Sequence, residues 1–389
     1  MTEVAAPDGV RGLVAELDSA GTLPAEFRPA FLAAAREWFV PGRFWYQPGD
    51  DGAEDVAVDR ASDPDRWLSA VYSDRALVTQ FDDGATEWPE VGHRPTSSAS
   101  MPSVVAGMLR ALEPQPGNAV LEIGTGTGWN AALLAEIVGG SGHVTTVEID
   151  PEVAGQARAN LRAAGYERVE TIEGDAAAGL AGDRRFDRII ATAGVHLGQL
   201  PYSWVERTAP GGVIVAPMRA DMATGPLVRF VVREDGTATG NAVEWLKVSF
   251  MDMRSHRVQR TDFGTMRWDD DSADQSWTDL APWVPLLADD HRWPIAVALP
   301  GCRYDVWERT EDRPGVAWLS DPSSGSWASV APEGEGRYVV RQFGPRRLWD
   351  AAEAAYRWWQ GRGEPPLSAW EWTITPDRQS VTLPPDSGR

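Results

Sequence analysis

Between residues 104 and 232 the apolar positions of the chain keep switching period. Short runs rich in Val, Ile and Leu read as strands: NAVLEIG at 118–124, GHVTTVEID at 142–150, VETIEGD at 169–175, FDRIIATAG at 186–194 and VIVAPM at 213–218. Amphipathic stretches fall between them, WNAALLAEIVG at 129–139 and PEVAGQARANLRAAG at 151–165, the second with proline in its first turn. Strands alternating with helices predict an α/β fold with a parallel, doubly wound sheet. LVRFVVREDGTATG at 227–240 predicts an antiparallel hairpin at the sheet's far edge, turning at Asp235-Gly236.

The flanks read differently. Residues 11–40 have apolar positions at three-to-four spacing and predict helices; from 41 to 95 the pattern is irregular, with acidic clusters. Past residue 256 prolines and glycines are frequent, and 12 of the chain's 19 tryptophans fall at or after Trp268. A helix is predicted within 346–363 and a strand within 369–383, giving a separate C-terminal α+β domain. The organisation expected is thus a helical and irregular segment at 1–95, a core at 96–255 and a Trp-rich domain at 256–389.

Composition narrows the function classes. A formal net charge of −21 over 389 residues opposes nucleic-acid binding. No run reaches transmembrane length, and the N-terminal MTEVAAPDGVRG lacks the basic and apolar regions of a signal peptide. The single cysteine, Cys302, excludes an internal disulfide and a cysteine-based metal cluster. A cytoplasmic protein without membrane or nucleic-acid partners is expected.

Candidate chemistry centres on Glu122-Ile123-Gly124-Thr125-Gly126-Thr127-Gly128, a glycine-rich turn between a predicted strand and helix. Such a turn marks the ligand crevice of a doubly wound sheet. A dinucleotide fingerprint needs G-x-G-x-x-G, and its third glycine would fall on Trp129. The spacing instead resembles the S-adenosylmethionine loop of class I methyltransferases. That resemblance implies donor contacts from Glu122, Gly124, Thr125, Gly126 and Gly128, then from Glu148 with Ile149 and Asp175 with Ala176 at the next two strand ends. The alternative reading makes these acids ordinary caps of loops and helices.

Upstream stands TSSASMPSVVAGMLRALEPQPG at 96–117. With the loop that follows, it resembles the protein-L-isoaspartate O-methyltransferase family, as do AAAREWFVPGRFW at 33–45 and VSFMDMR at 248–254. The resemblance covers roughly residues 11–255 and places Ser100 on the family's active-site serine. It implies methyl transfer to a peptide carboxylate, which is ionised at neutral pH and needs positioning but no general base. Ser100 would hold that carboxylate, or else cap the helix beginning near Pro102. Ser98, Ser103 and His196 are candidate substrate contacts, with a plain surface histidine as the alternative for His196.

Ser98, Ala99, Met101, Ser103, Met218 and Asp252 depart from the family pattern around the acceptor. Compact repair members end soon after the edge hairpin, whereas this chain continues to residue 389. It thus resembles actinobacterial-type homologues that methylate an aspartate in a macrocyclic, ribosomally made peptide, the ester then closing to an aspartimide. A Trp-rich domain would recognise that peptide, unless its tryptophans only fill a core. Isoaspartyl repair is the other acceptor reading.

Overall fold

The computed structural model describes residues 8–48, 54–179, 183–257, 261–267, 269–311 and 313–384. Parts of MTEVAAPDGVRG and of the acidic cluster near residue 50 lie outside them. The N-terminal region holds α1 (Asp8–Ser19), α2 (Arg28–Ala33), β1 (Arg43–Tyr46), β2 (Val56–Asp59), α3 (Pro64–Val71), β3 (Leu77–Phe81) and β4 (Pro95–Ala99). Where the pattern reads irregular, the four strands form an antiparallel sheet in the order β2-β1-β3-β4. Each has at most five residues and a mixed burial pattern, so neither period shows in the sequence. The fourth strand also carries this sheet past residue 95 and delivers the Ser98–Ser100 stretch to the core.

The core runs through α4 (Pro102–Leu112), β5 (Ala119–Ile123), α5 (Trp129–Val138), β6 (His143–Glu148), α6 (Pro151–Ala163), β7 (Glu170–Glu173), β8 (Phe186–Ala191) and β9 (Val195–His196). It continues with α7 (Tyr202–Arg207), β10 (Thr208–Arg219), β11 (Pro226–Val232) and β12 (Ala238–Lys247). Strand β5 lies parallel between β6 and β8 and is buried over four consecutive residues, as expected of a strand covered on both faces. Helix α6 starts as read: Pro151 is in the first turn, and the Asp150 carboxylate accepts from the amides of Glu152 and Val153.

The C-terminal region contains β13 (Asp274–Thr278), α8 (Asp289–Ala298), β14 (Arg303–Trp307), β15 (Val316–Asp321), β16 (Ser326–Gly334), β17 (Arg337–Phe343), α9 (Leu348–Gln360), β18 (Glu371–Ile374) and β19 (Gln379–Thr382). Five of these strands form a second antiparallel sheet, β13-β17-β16-β15-β14. The last two extend the main sheet, whose order is β19-β18-β12-β11-β10-β8-β5-β6-β7. The β11–β12 hairpin exists as read, but it is not the sheet's edge. An open β12 edge would leave its amides and carbonyls unpaired, and β18 covers it from Ala238–Ile374 to Asn241–Glu371.

The C-terminal region therefore does not stand apart. One core cluster contains Ile214, Val228 and Phe230 of the main sheet together with Trp293, Leu319, Trp349 and Trp372. Trp293, Trp318, Trp349, Trp359, Trp370 and Trp372 are buried, while Trp277 and Trp358 are exposed. Most of the C-terminal indoles thus act as core. Each removes about 200 Å² from water, an upper bound of roughly 5 kcal/mol. Among the described residues no helix is long and apolar enough to cross a membrane.

Candidate functional site

At the C-terminal ends of β5, β6 and β7 the structure opens a cavity of about 440 Å³. Gly124, Thr125 and Gly126 form its floor with Glu122, and Glu148, Ile149, Asp175 and Ala176 line the donor side. Ser98 and Ser100 line it from the other flank. Ten of the sequence-predicted residues, drawn from four separate segments, therefore meet in one space. Gly126 has φ 53°, and a Cβ there would come 3.2 Å from the Ser98 carbonyl oxygen, so the acceptor segment lies directly against the loop. Gly128 serves packing instead: at φ 89° it precedes α5, and a Cβ would meet Leu161 at 3.2 Å.

Burial sets the electrostatics of the two glutamates. Glu122 is fully buried, and desolvation pushes its carboxyl up to about 7 despite hydrogen bonds from Thr146 and Asn130. Asn130 Nδ2 donates to Oε1 at 2.7 Å, and Thr146 Oγ1 donates to Oε2 at 2.6 Å. Glu148 is also raised by burial, although the Gly126 amide donates to its Oε2 at 3.1 Å and the Asp150 amide to its Oε1 at 3.1 Å. Asp175, on the cavity wall, accepts from the Ala177 amide at 2.9 Å.

The Ser100 stretch is held by a residue that motif reading passed over. Arg36 is fully buried, and its guanidinium donates to the carbonyls of Val71, Ser73, Arg75, Ala99 and Ser100 at 2.8–3.2 Å. Desolvation lowers it to about 9, so it remains cationic at neutral pH. It also lies 5.2 Å from the Trp129 ring, tying the acceptor stretch to the start of α5. Trp129 is itself buried, with its indole N–H on the Ala34 carbonyl at 2.9 Å and an edge contact to Phe31. The cap alternative for Ser100 falls: Met101 occupies the cap position of α4, with no side-chain capping bond.

Two predicted substrate contacts lie elsewhere. Ser103 does not line the cavity; its amide donates to Asp74 Oδ1 at 2.8 Å, which satisfies one of the free N–H groups at the start of α4. His196 is neither at the surface nor in the cavity wall. It is buried because β9 pairs with β10, and its Nε2 lies 3.2 Å from Asp252 Oδ1. Arg219 Nε is 3.0 Å from the same oxygen. Asp252 lines the cavity, and although burial opposes its charge, the His196 bond and Arg219 outweigh it and hold it low. Two positions singled out separately in the sequence are thus partners, His196 standing behind Asp252.

Three cationic side chains reach the cavity: Lys247, Arg254 and Arg257. Arg254 bridges Asp150 at 2.6 Å and Asp83 at 3.1 Å, and Arg257 pairs with Asp83 at 2.7 Å. They strap the segment after β12 across the donor side. Lys247, the chain's single lysine, is exposed and forms no ion pair among the described residues. Its uniqueness was a signal present in the composition, whereas Arg36 and Asp150 carry meaning only through non-local contacts.

The donor set fits S-adenosylmethionine. Glu122, Glu148 and Asp175 offer carboxylates to a cationic ligand with ribose hydroxyls, and the Gly126 amide that would cradle a phosphate is already bonded to Glu148. A dinucleotide pyrophosphate would instead face buried carboxylates and a bulky Trp129. Fold and donor set together match the class I methyltransferase fold, with a cavity suited to S-adenosylmethionine.

Comparison with known proteins narrows the class. The family model for protein-L-isoaspartate(D-aspartate) O-methyltransferase matches residues 53–257, more than half of the chain. A protein-L-isoaspartate O-methyltransferase of Pyrococcus horikoshii is 41% identical over 138 residues, 36% of this chain and 61% of that protein. One of Methanopyrus kandleri is 43% identical over 129 residues, 33% of this chain and 55% of that protein. The protein-L-isoaspartate O-methyltransferase 2 of Archaeoglobus fulgidus is 37% identical over 166 residues, 42% of this chain and 71% of its own length. A solved protein-L-isoaspartate O-methyltransferase structure superposes with a TM-score of 0.54 at 19% identity, a likeness of fold that covers 96% of this chain and 99% of that one. The chain belongs to the protein-L-isoaspartate(D-aspartate) O-methyltransferase family. It spans only 61% and 55% of the Pyrococcus and Methanopyrus relatives.

Proposed function

We propose that this chain transfers a methyl group from S-adenosylmethionine to an aspartyl-derived carboxylate of a polypeptide, with L-isoaspartyl residues as acceptors. The observation that carries this reading is the meeting of the glycine loop and the Ser98–Ser100 stretch in one cavity, within van der Waals reach at Gly126. When bound, the donor supplies an electrophilic sulfonium methyl. Glu148 and Asp175 would hold its ribose and adenine ends, and Glu122 lies beneath the loop to balance its positive charge.

This chain's residues then position an anion. An acceptor carboxylate with an ordinary pKa of about 4 is ionised and nucleophilic at pH 7, so no base is required. The Ser100 hydroxyl donates a hydrogen bond to it, and Arg36 fixes the Ser100 backbone. Lys247 supplies the unpaired positive charge that draws an acidic acceptor to a strongly acidic protein. The Asp252 carboxylate, tied to His196 and Arg219, disfavours a second anion close by.

A second reading rests on the departures at Met101 and Asp252, which both line the cavity. In it the acceptor is an ordinary aspartate of a macrocyclic, ribosomally made peptide, and the ester is attacked by the next backbone amide to give an aspartimide. The long C-terminal region does not separate the two readings, because the solved isoaspartate methyltransferase fold extends over 96% of this chain. Incubation with labelled S-adenosylmethionine and an isoaspartyl peptide, beside its aspartyl counterpart in linear and macrocyclic form, tests both. Methylation of the isoaspartyl peptide alone is expected. Turnover confined to the macrocyclic aspartyl peptide, with loss of methanol from the ester as the aspartimide closes, would overturn the first reading.

A further inference from the structure

A second cavity, of about 510 Å³, opens where the C-terminal region meets the end of β12. Its apolar wall comes from Trp359, Trp370 and Leu367. Glu244 and Asp290 stand at its rim, both exposed. His291, whose Nδ1 donates to the Val284 carbonyl at 2.8 Å, lines the same cavity. The two cavities share one residue, Lys247. The first cavity and this pocket are therefore neighbours at the end of β12, with Lys247 on the wall of both.

We infer that the second cavity binds the stretch of polypeptide flanking the methylated residue, taking an apolar side chain next to a basic one. The inference rests on the reading of the first cavity as a polypeptide methylation site. Continuity through Lys247 gives the path: a chain whose carboxylate lies by Ser100 crosses β12 there. Charge complementarity gives the polarity. The anionic acceptor faces Lys247, while Glu244 and Asp290 favour a cation on the flanking segment and disfavour a second acid. The indole and leucine surfaces give an apolar anchor a place to leave water.

The test compares a short isoaspartyl peptide with the same peptide extended by an apolar residue and a lysine, on either side of the acceptor. In the full-length protein one of the extended peptides should show a KM lower by about tenfold. Ser368→Trp, which fills the pocket, and Asp290→Lys, which reverses its rim, should each abolish that advantage, with unchanged melting temperature as the folding check. Equal KM for short and extended peptides, or an advantage that survives both substitutions, would overturn the inference. If neither peptide is methylated, the first-cavity reading fails separately. Binding of the fluorescently labelled extended peptide, measured by anisotropy, then decides: affinity lost on Asp290→Lys supports the pocket, and no binding overturns it.

Discussion

Glu122 shows how one buried side chain links folding, pH and ligand. Its folded-state pKa, about 7, lies above the ordinary value, so the folded chain holds more protons than the unfolded chain between roughly pH 4.5 and 7. Its contribution to stability is then present at low pH and is lost as pH rises through about 7. Glu122→Gln should flatten this part of the stability–pH curve in denaturant titrations. A cationic donor entering the cavity favours the ionised form, so donor binding near pH 7 should release a proton, and calorimetry in buffers of different ionisation enthalpy should detect it in the parent chain but not in Glu122→Gln. Arg36 is the other residue with more than one task. Arg36→Met leaves five carbonyls without their shared donor and should cost about 3–5 kcal/mol in thermal or denaturant unfolding. Arg36→Lys should recover little of this, because an ammonium cannot reproduce the planar fork.

At the scale of elements, the close approach of β4 to the glycine loop makes the loop intolerant of side chains. Gly126→Val should weaken S-adenosylmethionine binding by at least about tenfold in calorimetry, since any Cβ there presses on the Ser98 carbonyl. The loop and strands β5, β6 and β8 were legible because their apolar runs and glycine spacing are local. The N-terminal sheet was not, since its strands of four or five residues pair with partners well outside any local window, as β3 does with β4 from Leu77–Ala99 to Phe81–Pro95. Nor was the docking of β18 on β12, which joins residues 238–241 to 371–374. The same limit applies in the site. Glu122, Glu148 and Asp175 could be placed at strand ends, but the partnership of His196 with Asp252 depends on β9 lying against β10 and on the segment after β12. Removing residues 367–384 would take Trp372 and Ile374 out of the core and expose the β12 edge, and this truncation should lose cooperative unfolding rather than only peptide recognition.

Across the whole molecule, a chain of net charge −21 lines its first cavity with Glu122, Glu148 and Asp175 and carries its single lysine, Lys247, on the wall of the same cavity. On the proposed function, that lysine is what lets an acidic protein take an acidic substrate group. The central claim is that a donor under the strand ends meets a carboxylate steadied by Ser100. Single-turnover methyl transfer to an isoaspartyl peptide by Ser100→Ala, with donor affinity measured on the same sample, tests it most directly. The account predicts a rate lower by about a hundredfold, with donor affinity within about twofold of the parent chain. An unchanged rate, or a loss of donor binding that accounts for the whole effect, would contradict it.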